Sequence, residues 1–86
     1  MTEIEIGTVR HFFDKIGVAA IDITADTLTI GDTIHIKGHT TDTTMKIETL
    51  RIEKDVITAA KAGDTIGTKI TGKAREHDKV FKVTEP

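Results

Sequence analysis

The 86-residue chain has no Cys, Ser, Asn, Gln, Tyr or Trp, and it holds a single Pro. Without Cys there is no disulfide scaffold, thiol nucleophile or cysteine zinc site. Without Ser, the commonest hydroxyl nucleophile of hydrolases is missing too. Losing Asn, Gln and Cys together removes the residues most prone to heat damage, a composition that fits a thermophilic source. The longest stretch with little charge, Ile16–Ile23, is far too short to span a membrane. The start, Met1 to Ile6, is acidic and alternating rather than basic and apolar. No signal peptide is therefore expected, and the expected compartment is the cytoplasm. A strong charge bias is absent as well: 12 Lys and Arg against 14 Asp and Glu leave a net charge of −2. Nucleic-acid binding usually shows as a basic excess, so any RNA contact here needs a local patch.

What the chain does have is β-branched residues. It contains 13 Ile, 5 Val and 16 Thr, together 34 of 86, against 2 Leu. Such side chains are stiff at χ1 and fit a pleated surface, which nearly excludes an all-helical fold. Alternation at period two dominates. Ile4 and Ile6 share a phase, and after Gly7 the phase flips to Val9 and Phe13, a bulge signal. Gly17–Ile23 reads as a strand with Ala19, Ile21 and Ile23 inward, and Thr33–Lys37 as another with Ile34 and Ile36 inward. Thr44–Glu53 reads as one strand with a bulge near Glu48-Thr49, because Met45 and Ile47 share one phase and Leu50 and Ile52 the other. Thr58–Ala62 is the one place where a helical turn fits, and it is too short to nucleate alone. Ile66–Thr71 and Lys79–Val83 complete six strands. Three segments end in tight turns before a strand: Gly31-Asp32, Gly63-Asp64 and His77-Asp78. Gly supplies a positive φ, and Asp is expected to bond its own backbone two residues on. His in the third turn holds that conformation at a cost. The expected architecture is all-β, a small closed barrel, since closure removes both sheet edges.

Chemistry-bearing motifs are sparse. Gly67–Ala74 matches G-x-x-x-x-G-K, but Ala74 stands where a phosphate loop needs Ser or Thr, and the chain returns to a strand. No nucleotide is expected there. Of the four histidines, His35 and His39 stand roughly 13 Å apart if extended. A metal site would need a third ligand such as Asp42, and the plainer reading is solvated histidines. No acid pair forms a recognisable constellation, so neither an enzyme, a cofactor nor a metal is expected. Phe12 and Phe13 offer a ring for base stacking, with at least one assigned to the core.

A longer pattern runs from Ile6-Gly7-Thr8-Val9 and Lys15–Ala19 through Leu28–Gly38 and Ile47–Ile52 to Ala60–Gly67. It resembles the second domain of the translational GTPases, such as elongation factor Tu. His11–Ala19 and the close at Asp78–Val83 make it still more similar to the C-terminal barrel of collagenase-like peptidase family proteins. The resemblance implies a six-stranded antiparallel Greek-key closed barrel over residues 1–86, a separate copy of a domain usually found fused. In the GTPases the barrel holds the 3′ end of aminoacyl-tRNA partly through an acidic and a basic residue. Those positions fall on Arg51 and Lys54. The basic one matches in charge, the acidic one does not, and an apolar wall of the same pocket falls on Lys69.

The implied function is a non-catalytic RNA-binding module for translation or for tRNA or rRNA handling. Arg51 and Lys54 would contact phosphate or ribose, and Lys69, Lys73 and Arg75 would extend the path. The alternative is a protein-interaction module that docks in trans on a separately encoded GTPase or peptidase-like partner, through apolar residues such as Val18 and Phe12.

Overall fold

The computed structural model describes residues 2–84. Ten strands follow one another: β1 (Thr2–Phe13), β2 (Val18–Ile23), β3 (Thr27–Thr29), β4 (Thr33–Lys37), β5 (Asp42–Lys46), β6 (Leu50–Ile52), β7 (Asp55–Ile57), β8 (Ala59–Lys61), β9 (Thr65–Lys69) and β10 (Lys79–Thr84). Eight form one sheet in the order β5-β4-β10-β1-β2-β9-β6-β7, and β3 pairs with β8 in a second. Every pairing is antiparallel. β1 is the spine, flanked by β10 and β2, and it carries Thr2 alongside Thr84. Among the described residues there is no helix, hence none long and apolar enough to cross a membrane.

Alternation does the work the sequence assigns to it. Ala19, Ile21 and Ile23 of β2 and Ile34 and Ile36 of β4 are all buried. Leu28 and Ala60, from the two-stranded sheet, join them with Leu50, Ile66 and Val80 in one hydrophobic cluster. Each fully buried Ile contributes roughly 1.5–3 kcal/mol relative to exposure. At Gly7 the register of β1 against β10 slips, so Ile6 and Gly7 are both buried while Ile4 is 40% exposed. A Cβ at Gly7 would collide with the Asp22 carbonyl across the ladder, so the close approach of β1 and β2 requires glycine. A second slip, between Val9 and His11 against β2, sets Arg10 on a bulge that the alternation does not announce.

The three Asp turns share one geometry. Gly31 (φ 100°), Gly63 (φ 100°) and His77 (φ 74°) all lie in the left-handed region. In each turn the Asp N–H donates to the carbonyl three residues back: Asp32 to Thr29 (3.0 Å), Asp64 to Lys61 (3.0 Å) and Asp78 to Arg75 (3.2 Å). Its carboxylate in turn accepts the N–H of that same residue, at 2.9, 3.0 and 2.8 Å. The Asp bond therefore runs backwards by three residues rather than forwards by two. The His77 turn matches the glycine turns despite its side chain.

Two expectations need correction. Neither sheet closes on itself, and the six-stranded closed barrel is replaced by ten strands in two sheets. The cause lies partly at Ile47–Leu50. Both ends of that segment are buried with Glu48 and Thr49 exposed between them. A three-residue spacing of buried side chains cannot fit a period of two. The ladder breaks there, and the expected single strand becomes β5 and β6 instead of a bulged whole. The expected helical turn at Thr58–Ala62 is instead β8, which buries Ala60 opposite Leu28.

Candidate functional site

On β2 and β9 the residues turned away from the core pair as Val18 with Lys69, Ala20 with Gly67 and Asp22 with Thr65. β6 meets β9 only at Arg51 and Gly67. The link before β6 is pinned by the buried Thr68 hydroxyl, which donates to the Thr49 carbonyl at 2.7 Å. Beyond that point β6 diverges. The divergence, together with Ala20 and the bare backbone of Gly67, leaves an open groove of about 1050 Å³ between the β1–β2 turn and β6. Phe13, Ile16, Val18 and Ile52 make its apolar wall. Phe13 is 47% exposed and Ile16 63% exposed, an unusual outlay of apolar surface for so small a chain.

Cations rim the groove. Arg10 lies 3.5 Å from Asp22, whose carboxylate also accepts the Thr65 hydroxyl at 2.6 Å. Arg51 and Lys69 form no ion pair among the described residues. Glu53 and Asp64 lie along the same groove. The site thus offers a hydrophobic wall and two uncommitted positive charges, which suits an apolar segment carrying acidic neighbours.

Of the five residues expected to contact RNA, the fold brings only Arg51 and Lys69 together. Arg75 lines a separate shallow depression with His11, Phe12, Asp14, Ala74 and Glu76. Lys54, in the β6–β7 turn, and Lys73 line neither. Of the two residues expected to dock a protein, Val18 lines the groove, but Phe12 packs against the core and Phe13 carries the exposed ring. Phe13 stands edge-on to His11, with ring centroids 4.5 Å apart. Phe13 was expected only as a stacking or core ring, and nothing in the sequence marks Arg10 or Ile16. The Phe12-Phe13 pair on an alternating strand was the available signal, because one of two adjacent rings must face outward.

The described residues hold one titratable cluster. On the outer side of β4, His35 Nδ1 lies 2.8 Å from Glu3 Oε2 and Nε2 lies 2.5 Å from Asp42 Oδ1. Both ring nitrogens face carboxylates, an arrangement that favours the doubly protonated ring. The Asp42 bond chiefly, then the Glu3 bond, raises the His35 pKa above its ordinary value, while burial opposes them. This clamp ties β1, β4 and β5 together. Among the described residues no cluster of His, Asp and Glu is arranged to hold a metal ion. Gly67–Ala74 comprises the end of β9 and a bend at Gly72, and no helix follows it to offer an N-terminus to phosphate.

No family model matches the chain. Over 84 residues, 96% of its length, it is 38% identical to an uncharacterized protease of Methanocaldococcus jannaschii. Over 81 residues, 93% of its length, it is 33% identical to a collagenase of Porphyromonas gingivalis. It spans about a fifth of the length of these curated relatives, 20% of each. Among solved structures, it superposes with a TM-score of 0.87 on the C-terminal domain of a Geobacillus thermoleovorans protein assigned to the U32 peptidases. That match covers 93% of this chain and 92% of the other at 18% identity, a likeness of fold. These relatives overturn the translational, RNA-binding reading, since they are named protease, collagenase and U32 peptidase rather than translation factors. The similarity to collagenase-like peptidases stands, and the one to translational GTPases finds no support in them. By sequence the chain is thus similar to a segment of proteases and collagenases, and by fold to the C-terminal domain of a U32 peptidase.

Proposed function

We propose that this chain is a non-catalytic docking domain that packs on a peptidase-type body through the Phe13–Ile16 groove. What supports the reading is that nearly the whole chain corresponds to about a fifth of protease and collagenase relatives. A small all-β segment within such proteins is suited to contact rather than to chemistry. The groove supplies the contact. Burying Phe13 and Ile16 on docking would contribute roughly 1.5–3 kcal/mol each, the magnitude of interface hot spots. Arg51 and Lys69, two of the residues first assigned to RNA, become the basic rim that meets acidic neighbours of the docked segment.

The test is calorimetric titration of the chain into the M. jannaschii protease from which the matched segment has been deleted. Binding is expected, with loss of at least tenfold in affinity for Phe13→Ala and for Ile16→Ser. A wild-type chain that gives no heat, or variants that bind as well as wild type, would sink the proposal.

A further inference from the structure

We propose that β5 pairs edge to edge with β5 of a second copy of this chain. β5 is one rim of the eight-stranded sheet. At the two ends of the β4–β5 ladder, Gly38 N–H donates to the Thr41 carbonyl at 2.8 Å and Ile47 N–H donates to the Asp32 carbonyl at 2.7 Å. Between them the register runs from Lys37 opposite Asp42 to Thr33 opposite Lys46. Hydrogen-bonded and non-hydrogen-bonded pairs alternate in an antiparallel ladder. Ile36 with Thr43 and Ile34 with Met45 are therefore the bonded pairs. The backbone N–H and C=O groups of Asp42, Thr44 and Lys46 point away from β4, and among the described residues they make no other backbone hydrogen bond.

Of the usual guards against pairing, this rim has shortness and charged ends but neither of the backbone devices. It carries no Pro and no bulge, and its five residues, Asp-Thr-Thr-Met-Lys, form a regular ladder with β4. Its charges are arranged for one occupant. A two-fold axis through Thr44 lays the strand antiparallel on itself, with Thr44 opposite Thr44 and Asp42 opposite Lys46 of the other copy. In that register every outward backbone group finds a partner, and opposite charges face each other at both ends. Opposite charges directly across a ladder stabilise it, and like charges destabilise it. A slip by two residues loses both charge pairs, so the register is specified. All three side chains on this face are exposed; Lys46 has no ion pair among the described residues, and Asp42, bonded to His35 through Oδ1, has its second carboxylate oxygen left for the seam. β5 and the β6–β7 rim of the groove are opposite edges of the sheet, so this pairing stands apart from the docking function proposed above.

Sedimentation equilibrium of the full chain up to about 1 mM, where even weak specific pairs are seen, tests the inference. The wild-type chain is expected to dimerise. Lys46→Glu places like charges across the seam and weakens association at least tenfold, as does Asp42→Lys. An equimolar mixture of the two variants restores a dimer, because each supplies the charge that the other lacks. Thr44→Pro removes a central outward N–H and also abolishes pairing. Circular dichroism checks that each variant keeps its sheet. Lys46→Glu, which alters an exposed side chain without an ion pair, serves as the deciding variant should Asp42→Lys unfold. A wild-type chain that stays monomeric throughout, or a folded Lys46→Glu chain that associates like wild type, overturns the inference.

Discussion

Replacing His77 with glycine should make the fold more stable, an unusual direction for a substitution that deletes a side chain. The backbone there has φ 74°, and the same turn is built twice more on glycines at φ 100°. A non-glycine residue in the left-handed region costs about 1–2 kcal/mol. Glycine returns part of that gain through the larger freedom of the unfolded chain, about 0.5–1 kcal/mol. Nothing else is lost, because His77 is exposed and its side chain makes no hydrogen bond among the described residues. The net gain is therefore about 0.5–1 kcal/mol, or a rise in melting temperature of roughly 3–6 °C for a domain of this size. The glycine turns supply the converse. A Cβ at Gly31 or Gly63 meets nothing within 4 Å, so Gly→Ala at either site adds a dihedral penalty without a clash. With the same unfolded-chain offset, each should destabilise by about 0.5–1 kcal/mol. Urea titration followed by circular dichroism reads all three. A His77→Gly variant no more stable than wild type, beside clearly destabilised Gly31→Ala and Gly63→Ala, would refute the claim that the third turn is strained.

Three further outcomes follow from the structure. His35 has a raised pKa in the folded state, so its share of stability is complete below the unfolded value of about 6.5 and fades as pH climbs through the folded value. Wild-type unfolding free energy should therefore fall over that window while His35→Gln stays flat, and Asp42→Asn should move the His35 NMR titration toward lower pH; equal slopes would contradict the clamp. A Cβ at Gly38 would invade the Asp78 carboxylate, which accepts the Arg75 N–H, so Gly38→Ala should cost about 1–3 kcal/mol. In a double-mutant cycle that cost should shrink on an Asp78→Ala background, and strict additivity would count against the contact. Gly7→Ala, facing backbone rather than a movable side chain, should be among the most damaging single substitutions by thermal melt, and a near-neutral result would place the β1–β2 approach in error.

How far the sequence could be read depended on how local the deciding interaction was. Ile34 with Ile36, and Ala19 with Ile21 and Ile23, declare their strands because alternation is a property of neighbours. Gly7 declares its bulge for the same reason. The break at Ile47–Leu50 shows in the spacing too, but whether such a spacing bulges or interrupts the ladder is set by what lies opposite, here Thr68 holding the Thr49 carbonyl. β8 is illegible alone, since Ala59-Ala60-Lys61 carries no alternation of its own and is held extended by its pairing with β3, where Ala60 meets Leu28. The groove and the His35 clamp each draw on several strands brought together by the topology, so no window along the chain contains them. The basic residues could be counted in advance, but which of them would become neighbours could not. The family resemblance named two possible kin, and it was the peptidase side that the relatives supported.

Because Thr2 lies beside Thr84 and β1 runs through the middle of the sheet, strands some eighty residues apart in sequence are laid in contact. The spine strand must wait, unpaired on one flank, until β10 has emerged. Loops of that span close slowly, and long-range β pairing lengthens the search for the native state. A chain made only as far as β9 therefore shows a bare strand to its surroundings, and removing β10 should produce a sticky, incompletely folded product instead of a smaller working one.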